Sequence, residues 1–296
     1  MPEVDLGGLT LAHELHGDDG PLVLLVSGLG AQLVWWPDAF VAGLVARGLR
    51  VVRYDNRDVG RSTWLDGAPG TARDVQARLA GDHDTPLAYT LGDMAADAVR
   101  LLDALQVARA HVVGASMGGM IAQHLAFSHG DRVASLTSVM STTGHPEVGQ
   151  STPAALQALM TAPPRDDPER FVEVAVRSSR AIASPTLFDE DEARRRILAA
   201  YERGYNPEGV ARQFLAILAD RDRTDRLARV EVPTLVVHGV EDPLIDVSGG
   251  RATAAAVAGA ELVEVEEMGH DLPAPLVPTL SGLVADHVHR AEQRRG

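Results

Sequence analysis

Apolar runs of strand length alternate with segments whose apolar positions recur every three or four residues, over most of the 296-residue chain. Residues 4–16 carry short alternating segments around Gly7-Gly8 and predict an opening hairpin or two short strands. Residues 21–27 read Pro-Leu-Val-Leu-Leu-Val-Ser, a continuous apolar run that suits a strand buried on both faces, and it ends in Gly28-Leu29-Gly30. Phe40, Val41, Leu44 and Val45 predict a helix that opens at Pro37 and stops at Gly48, and residues 49–54 predict the next strand.

Thr90 with Asp93 three residues later has the donor and acceptor types of a helix start. Leu91, Met94, Ala95, Ala98, Leu101, Leu102 and Leu105 follow on one face. A strand at 110–115, a helix at 117–129 closed by Gly130, and a strand at 133–140 continue the alternation. Between 141 and about 229 it lapses. Pro163-Pro164, Pro168, Pro185 and Pro207 break up helical stretches at 171–182 and 190–205, with no convincing strand between them. Strands return at 233–239 and 261–265, with an alanine-rich helix near 251–257 and a last helix from about Leu276. Alternation of this kind implies an α/β fold with a mostly parallel sheet covered on both faces. The expected division is a core of 1–140 with 230–296, and a helical cap inserted at 141–229.

Composition narrows the chemistry. With 45% hydrophobic and 23% charged residues the chain is globular, and all 27 of its basic residues are arginine. Without lysine there is no Schiff-base amine, no pyridoxal phosphate anchor, no Walker A lysine and no Tyr/Lys dehydrogenase pair. Without cysteine there is no disulfide, thiolate metal site or cysteine nucleophile. A formal charge of −14 repels phosphate backbones and anionic lipids, so no nucleic-acid partner is expected. Residues 1–20 lack the basic start and apolar run of a signal peptide, and no 18 uncharged apolar residues follow one another. A cytoplasmic protein without an integral membrane span is expected.

The sharpest motif is Gly114-Ala115-Ser116-Met117-Gly118, between an apolar strand and a helix. A nucleophile on so tight a turn needs small neighbours, and the turn pushes the hydroxyl clear of the sheet. A serine needs a base, and the base an orienting acid. His270 follows the last predicted strand and Asp242 the one before it, with Glu241 and Asp246 as alternative acids. The order Ser116, Asp242, His270 puts each residue just beyond the carboxyl end of a strand, where loops of a parallel sheet share one edge. Oxyanion NH donors would be Met117, at the helix start, and Leu29, in the loop after the early buried strand beside Gly28. Trp35, Trp36 and Phe40 are candidates for a pocket wall or for core.

Rival readings are thinner. Gly28-x-Gly30 with Asp55 beyond the next strand imitates a dinucleotide fingerprint, but Leu33 occupies the third glycine position. His13 and His16, and His287 and His289, lack metal-site spacing and read as solvated side chains. No metal and no cofactor are expected.

The stretch Arg53-Tyr-Asp55-Asn-Arg57-Asp-Val-Gly60-Arg-Ser62, the serine motif His111-Val-Val-Gly-Ala-Ser116-Met-Gly-Gly119, and Val232-Pro-Thr-Leu-Val-Val-His-Gly-Val-Glu-Asp242 resemble the α/β-hydrolase superfamily over nearly the whole chain. They look like the esterase group that includes aclacinomycin methylesterase and related bacterial carboxylesterases. The resemblance implies Ser116 as nucleophile, Asp242 as acid, His270 as base, Leu29 and Met117 as oxyanion donors, and a structural part for Asp55 and Arg57. Ser27 departs from the common His-Gly pattern of that loop. A serine at 116 argues against the aspartate-dependent epoxide hydrolases and dehalogenases of the same fold. The expected activity is hydrolysis of a small-molecule hydrophobic carboxylic ester with a medium acyl chain or a bulky hydrophobic group, methyl esters included. A cofactor-free haloperoxidase, a thioesterase, a carbon-carbon bond hydrolase, a non-catalytic binding protein and an NAD-dependent oxidoreductase are the alternatives. The cap residues Leu156, Leu159, Met160, Phe171, Val174, Phe188, Phe214 and Leu218 would offer apolar surface.

Overall fold

A computed structural model describes residues 2–294. The chain opens with β1 (Glu3–Asp5), β2 (Thr10–His16), β3 (Leu22–Val26), α1 (Asp38–Val45) and β4 (Arg50–Tyr54). It continues through α2 (Ala72–Leu79), α3 (Leu91–Ala104), β5 (Ala110–Ala115), α4 (Met117–Ser128) and β6 (Val133–Val139). Five helices follow: α5 (Pro153–Met160), α6 (Pro168–Ile182), α7 (Glu190–Arg203), α8 (Pro207–Ala219) and α9 (Thr224–Leu227). The last elements are β7 (Thr234–Gly239), α10 (Ser248–Ala256), β8 (Glu261–Val265) and α11 (Val277–Gln293).

Eight strands make one sheet in the order β1-β2-β4-β3-β5-β6-β7-β8. β1 and β2 run antiparallel to their neighbours and β4 to β8 pair in parallel, with β3 between β4 and β5. The alternation of apolar residues along β3 decides the layers. Leu22, Leu24 and Val26 face the cluster under α3 and α4, while Val23 and Leu25 face the one under α1 and α11. Both faces are covered, so every residue of β3, β5, β6 and β7 is buried, and β3 reads as an unbroken apolar run. β8, at the open edge, is mostly exposed or half-buried.

Local signals act as the pattern foretells at α3, where Thr90 and Asp93 form a reciprocal capping box. The same box at Thr71 and Asp74 opens α2, a helix that the hydrophobic pattern does not announce because Val75 alone in it is buried. Pro168 and Pro207, read as breakers, are instead the first residues of α6 and α8, as Pro153 is of α5. A proline there loses no hydrogen bond, since the first NH groups of a helix have no partner inside it. Asp167 and Asn206 cap the two following helices by accepting from the NH groups of Arg170 and Gly209.

Candidate active site

Ser116 joins β5 to α4 with φ 57° and ψ −122°, a conformation that residues with a side chain seldom adopt. Its neighbours permit it. A Cβ at Gly114 would stand 2.0 Å from the Gly118 carbonyl oxygen, and one at Gly118 2.0 Å from the Val26 carbonyl oxygen. The helix therefore starts directly on the strand ends. The Ser116 NH donates to the Val139 carbonyl at 3.0 Å, and its carbonyl accepts from Gly119 NH and Ser141 Oγ at 2.9 Å each.

The loops after β7 and β8 bring the other two residues to this turn. His270 Nδ1 lies 2.7 Å from Asp242 Oδ2, and His270 Nε2 lies 3.0 Å from Ser116 Oγ. Burial opposes ionisation of Asp242, but His270, the His238 ring and the Ile245 NH outweigh it and hold the carboxyl well below the usual carboxylate range. An ionised carboxylate only accepts, so Nδ1 carries the proton and Nε2 offers its lone pair to the serine hydroxyl. Asp242 Oδ1 accepts from the NH groups of Leu244 and Ile245 at 2.9 Å each, which fixes the carboxylate plane. Glu241 and Asp246 are exposed, and Asp246 accepts from the Ser248 NH instead.

The segment after α6 also holds the histidine loop. His270 NH donates to the Ile182 carbonyl at 2.7 Å, and Asp271 Oδ1 accepts from Ser184 NH at 3.0 Å. A Cβ at Gly269 would come 2.3 Å from the Ala183 carbonyl carbon, so a glycine lets the two segments meet. None of this was legible in the sequence, because no local pattern marks a contact between distant loops.

Gly28 lies against the serine, with a hypothetical Cβ 3.2 Å from Ser116 Cβ. Among the described residues no acceptor meets the backbone NH of Leu29 or of Met117. Leu29 and Trp35 line a cavity of about 350 Å³ together with Ile182, Phe188, Ile197 and His270. Arg196 and Asp271 add charge to its wall. A second cavity of about 280 Å³ shares Leu29, Gly30 and Leu159 with the first and is closed by Val75, Met160 and Phe214. Trp36 and Phe40 belong to the core under α1. Of the other apolar residues expected on the cap, Phe171 is buried among α6 and α7 side chains, Leu218 packs with Leu215, and Leu156 is exposed.

Asp55 accepts from Leu33 NH, Arg61 NH and Arg203 Nη2, and Arg57 pairs with Asp97 at 2.6 Å. Asp55 thus ties the loop after β4 to the turn at 33–35 and to α7, and Arg57 ties the same loop to α3. After Gly30 the chain makes a single turn at 33–35 before α1 opens at Asp38, so the glycine loop does not lead directly into its own helix as the dinucleotide fingerprint requires. The histidines away from the site need a correction. His13 and His287 are buried, not solvated, and burial lowers the pKa of each, while His16 and His289 are partly exposed. Each pair alternates in exposure because one member faces the core.

Comparison with known proteins fixes the class. The family described as alpha/beta hydrolase fold matches residues 21–273, and the chain belongs to it. Rhodomycin D methylesterase DnrP of Streptomyces peucetius is 33% identical over 96% of this chain and 96% of its own. A putative carbamate hydrolase, RutD of Variovorax paradoxus (strain S110), is 31% identical over 80% of each chain. An enol-lactonase from Burkholderia xenovorans LB400 superposes with a TM-score of 0.73 at 26% identity, over 97% of this chain and 100% of that one. Within the family this chain is an enzyme, a carboxylic ester hydrolase. Among the described residues no helix is long and apolar enough to cross a membrane.

Proposed function

We propose that the protein hydrolyses a hydrophobic carboxylic ester through an acyl-enzyme on Ser116. As Ser116 Oγ bonds to the ester carbonyl carbon, its proton passes to His270 Nε2 and the carbonyl π pair moves onto oxygen. The NH groups of Leu29 and Met117 donate hydrogen bonds to that negative oxygen, helped at Met117 by the start of α4. Collapse breaks the bond to the alcohol oxygen, which takes the proton from His270. Water then attacks the acyl carbon, giving its proton to the same nitrogen, and Ser116 leaves with that proton restored. Asp242 holds the ring in the working tautomer and stabilises the imidazolium. Helices within 141–229 act as the cap over the cleft, and the aliphatic and aromatic wall of the larger cavity suits an apolar ester group. His270 Nε2 relays every proton in this sequence.

The observation that carries the reading is the unbroken line from Asp242 through His270 to Ser116, at 2.7 and 3.0 Å. The likeness to a methylesterase makes methyl esters of bulky apolar acids the first substrates to try. Ser116→Ala should lower kcat on a p-nitrophenyl ester by at least about 10³-fold with the far-ultraviolet circular dichroism unchanged. Turnover kept within tenfold would remove the serine from its role. A panel of esters, thioesters and diketones then ranks the reaction types.

A further inference from the structure

Where the chain leaves β3 it turns sharply: the Gly28 carbonyl accepts from the Ala31 NH at 3.2 Å, and Gly30 has φ +64°. A turn of this kind has two forms that differ by rotation of its central peptide, here the one joining Leu29 to Gly30. Positive φ at the third residue marks one of them. An acceptor placed on the Gly30 NH selects that form. Helix α8 supplies it. Gln213, wholly buried, sets Oε1 2.9 Å from Gly30 N and donates through Nε2 to the Arg57 carbonyl at 2.8 Å.

With both ends of its amide engaged, the Gln213 side chain has a single orientation and ties the loop after β3 to the loop after β4. Val210, on the same helix, closes over the turn: a Cβ at Gly30 would meet Val210 Cγ2 at 3.0 Å. From below, Asn56 Nδ2 donates to the Ser27 carbonyl at 3.1 Å. The turn is thus gripped by α8 and by Asn56, yet among the described residues no acceptor meets the Leu29 NH.

We propose that Gln213 is a positioning residue for oxyanion stabilisation, anchoring the turn at Gly30 so that Leu29, one residue earlier, keeps its NH fixed toward the developing negative oxygen. The proposal rests on the esterase reading above. Removing the acceptor leaves the Gly30 NH without its partner and frees the turn from α8, so Leu29, whose own NH lies on the preceding peptide, loses the fixed position that the anchor at Gly30 gives it. An oxyanion donor acts only where the charge develops, so the loss falls on the transition state and leaves ground-state binding alone.

The test compares kcat and KM on a p-nitrophenyl ester with inhibition by an aryl trifluoromethyl ketone, whose serine adduct places an oxyanion at the same donors. Gln213→Met keeps the length of the side chain and offers neither acceptor nor donor. The expected result is a 10–100-fold fall in kcat, KM within threefold, and a rise in the ketone inhibition constant that matches the fall in kcat. Gln213→Glu, which retains an acceptor for Gly30, should recover part of both. Should Gln213→Met fail to fold, Gln213→Asn, too short to reach Gly30, takes its place. Unchanged kcat overturns the proposal, and so does a fall in kcat with the ketone constant unmoved, which marks a merely structural role. Wild-type protein inert on every ester overturns the esterase reading and this proposal with it, whereas an active wild type beside an unimpaired Gln213→Met overturns this proposal alone.

Discussion

Position 116 must carry a hydroxyl and must also adopt φ 57° with ψ −122°, a combination that suits glycine far better than serine. The strain costs about 1–3 kcal/mol, offset by the hydrogen bonds that clamp the turn from β6. Ser116→Gly should therefore be inactive yet more stable than the wild type, by on the order of 1 kcal/mol or roughly 2 °C in Tm after glycine's own entropy cost. Thermal melting of purified protein checks this; a lower Tm would show that the turn is unstrained or that the hydroxyl contributes stability. The serine was legible in the sequence because its motif is short, and its two glycines answer a steric demand at neighbouring positions. The acid was not. Asp242, Glu241 and Asp246 sit within five residues of one another, and only the fold shows Asp242 turned inward against the imidazole.

At the scale of elements, the helices between β6 and β7 are anchored on the loop after β4 by charge. Arg212 of α8 and Asp58 are both buried and meet in two hydrogen bonds of 2.7 and 2.8 Å. Burial opposes the Asp58 carboxylate, but Arg212 and the Leu65 NH overcome it and lower its pKa. Arg212→Ala leaves that carboxylate buried without its cation and should cost about 3–5 kcal/mol in urea unfolding. Asp58→Asn combined with Arg212→Met should cost less than Arg212→Ala alone, because no orphaned charge remains. Equal or larger loss in the double variant would mean that packing, and not charge, holds the helix. Here the sequence misled in a specific way: Pro168 and Pro207 mark interruptions in the pattern, and an interruption is also where a new helix begins.

Across the whole molecule, carboxylates buried beside cations set the response to acid. Burial works against Asp220, yet His124 and Arg223 hold its pKa down to about 2, and Asp58 and Asp242 are lowered as well. A group with a lower pKa in the folded chain contributes its stability above the unfolded value, about 4, and loses it as pH falls through the folded value. Asp97 and Asp271, which burial pushes up, act in the opposite sense. The urea midpoint should fall between pH 4 and 2, and Asp220→Asn should flatten that fall while lowering stability at pH 7. Parallel curves for variant and wild type would remove Asp220 from the account.

By itself the sequence determined the α/β alternation, the buried strands and the serine turn, because each rests on the period of neighbouring side chains or on steric demands between adjacent residues. The sheet order then placed every parallel carboxyl end on one edge. Only the tertiary structure decided which acid faces His270, that His13 and His287 are buried, and that Gln213 grips a turn 183 residues earlier in the chain. Those outcomes depend on which surfaces are pressed together once the helices dock, and a chemical partner far along the chain leaves no trace in local periodicity.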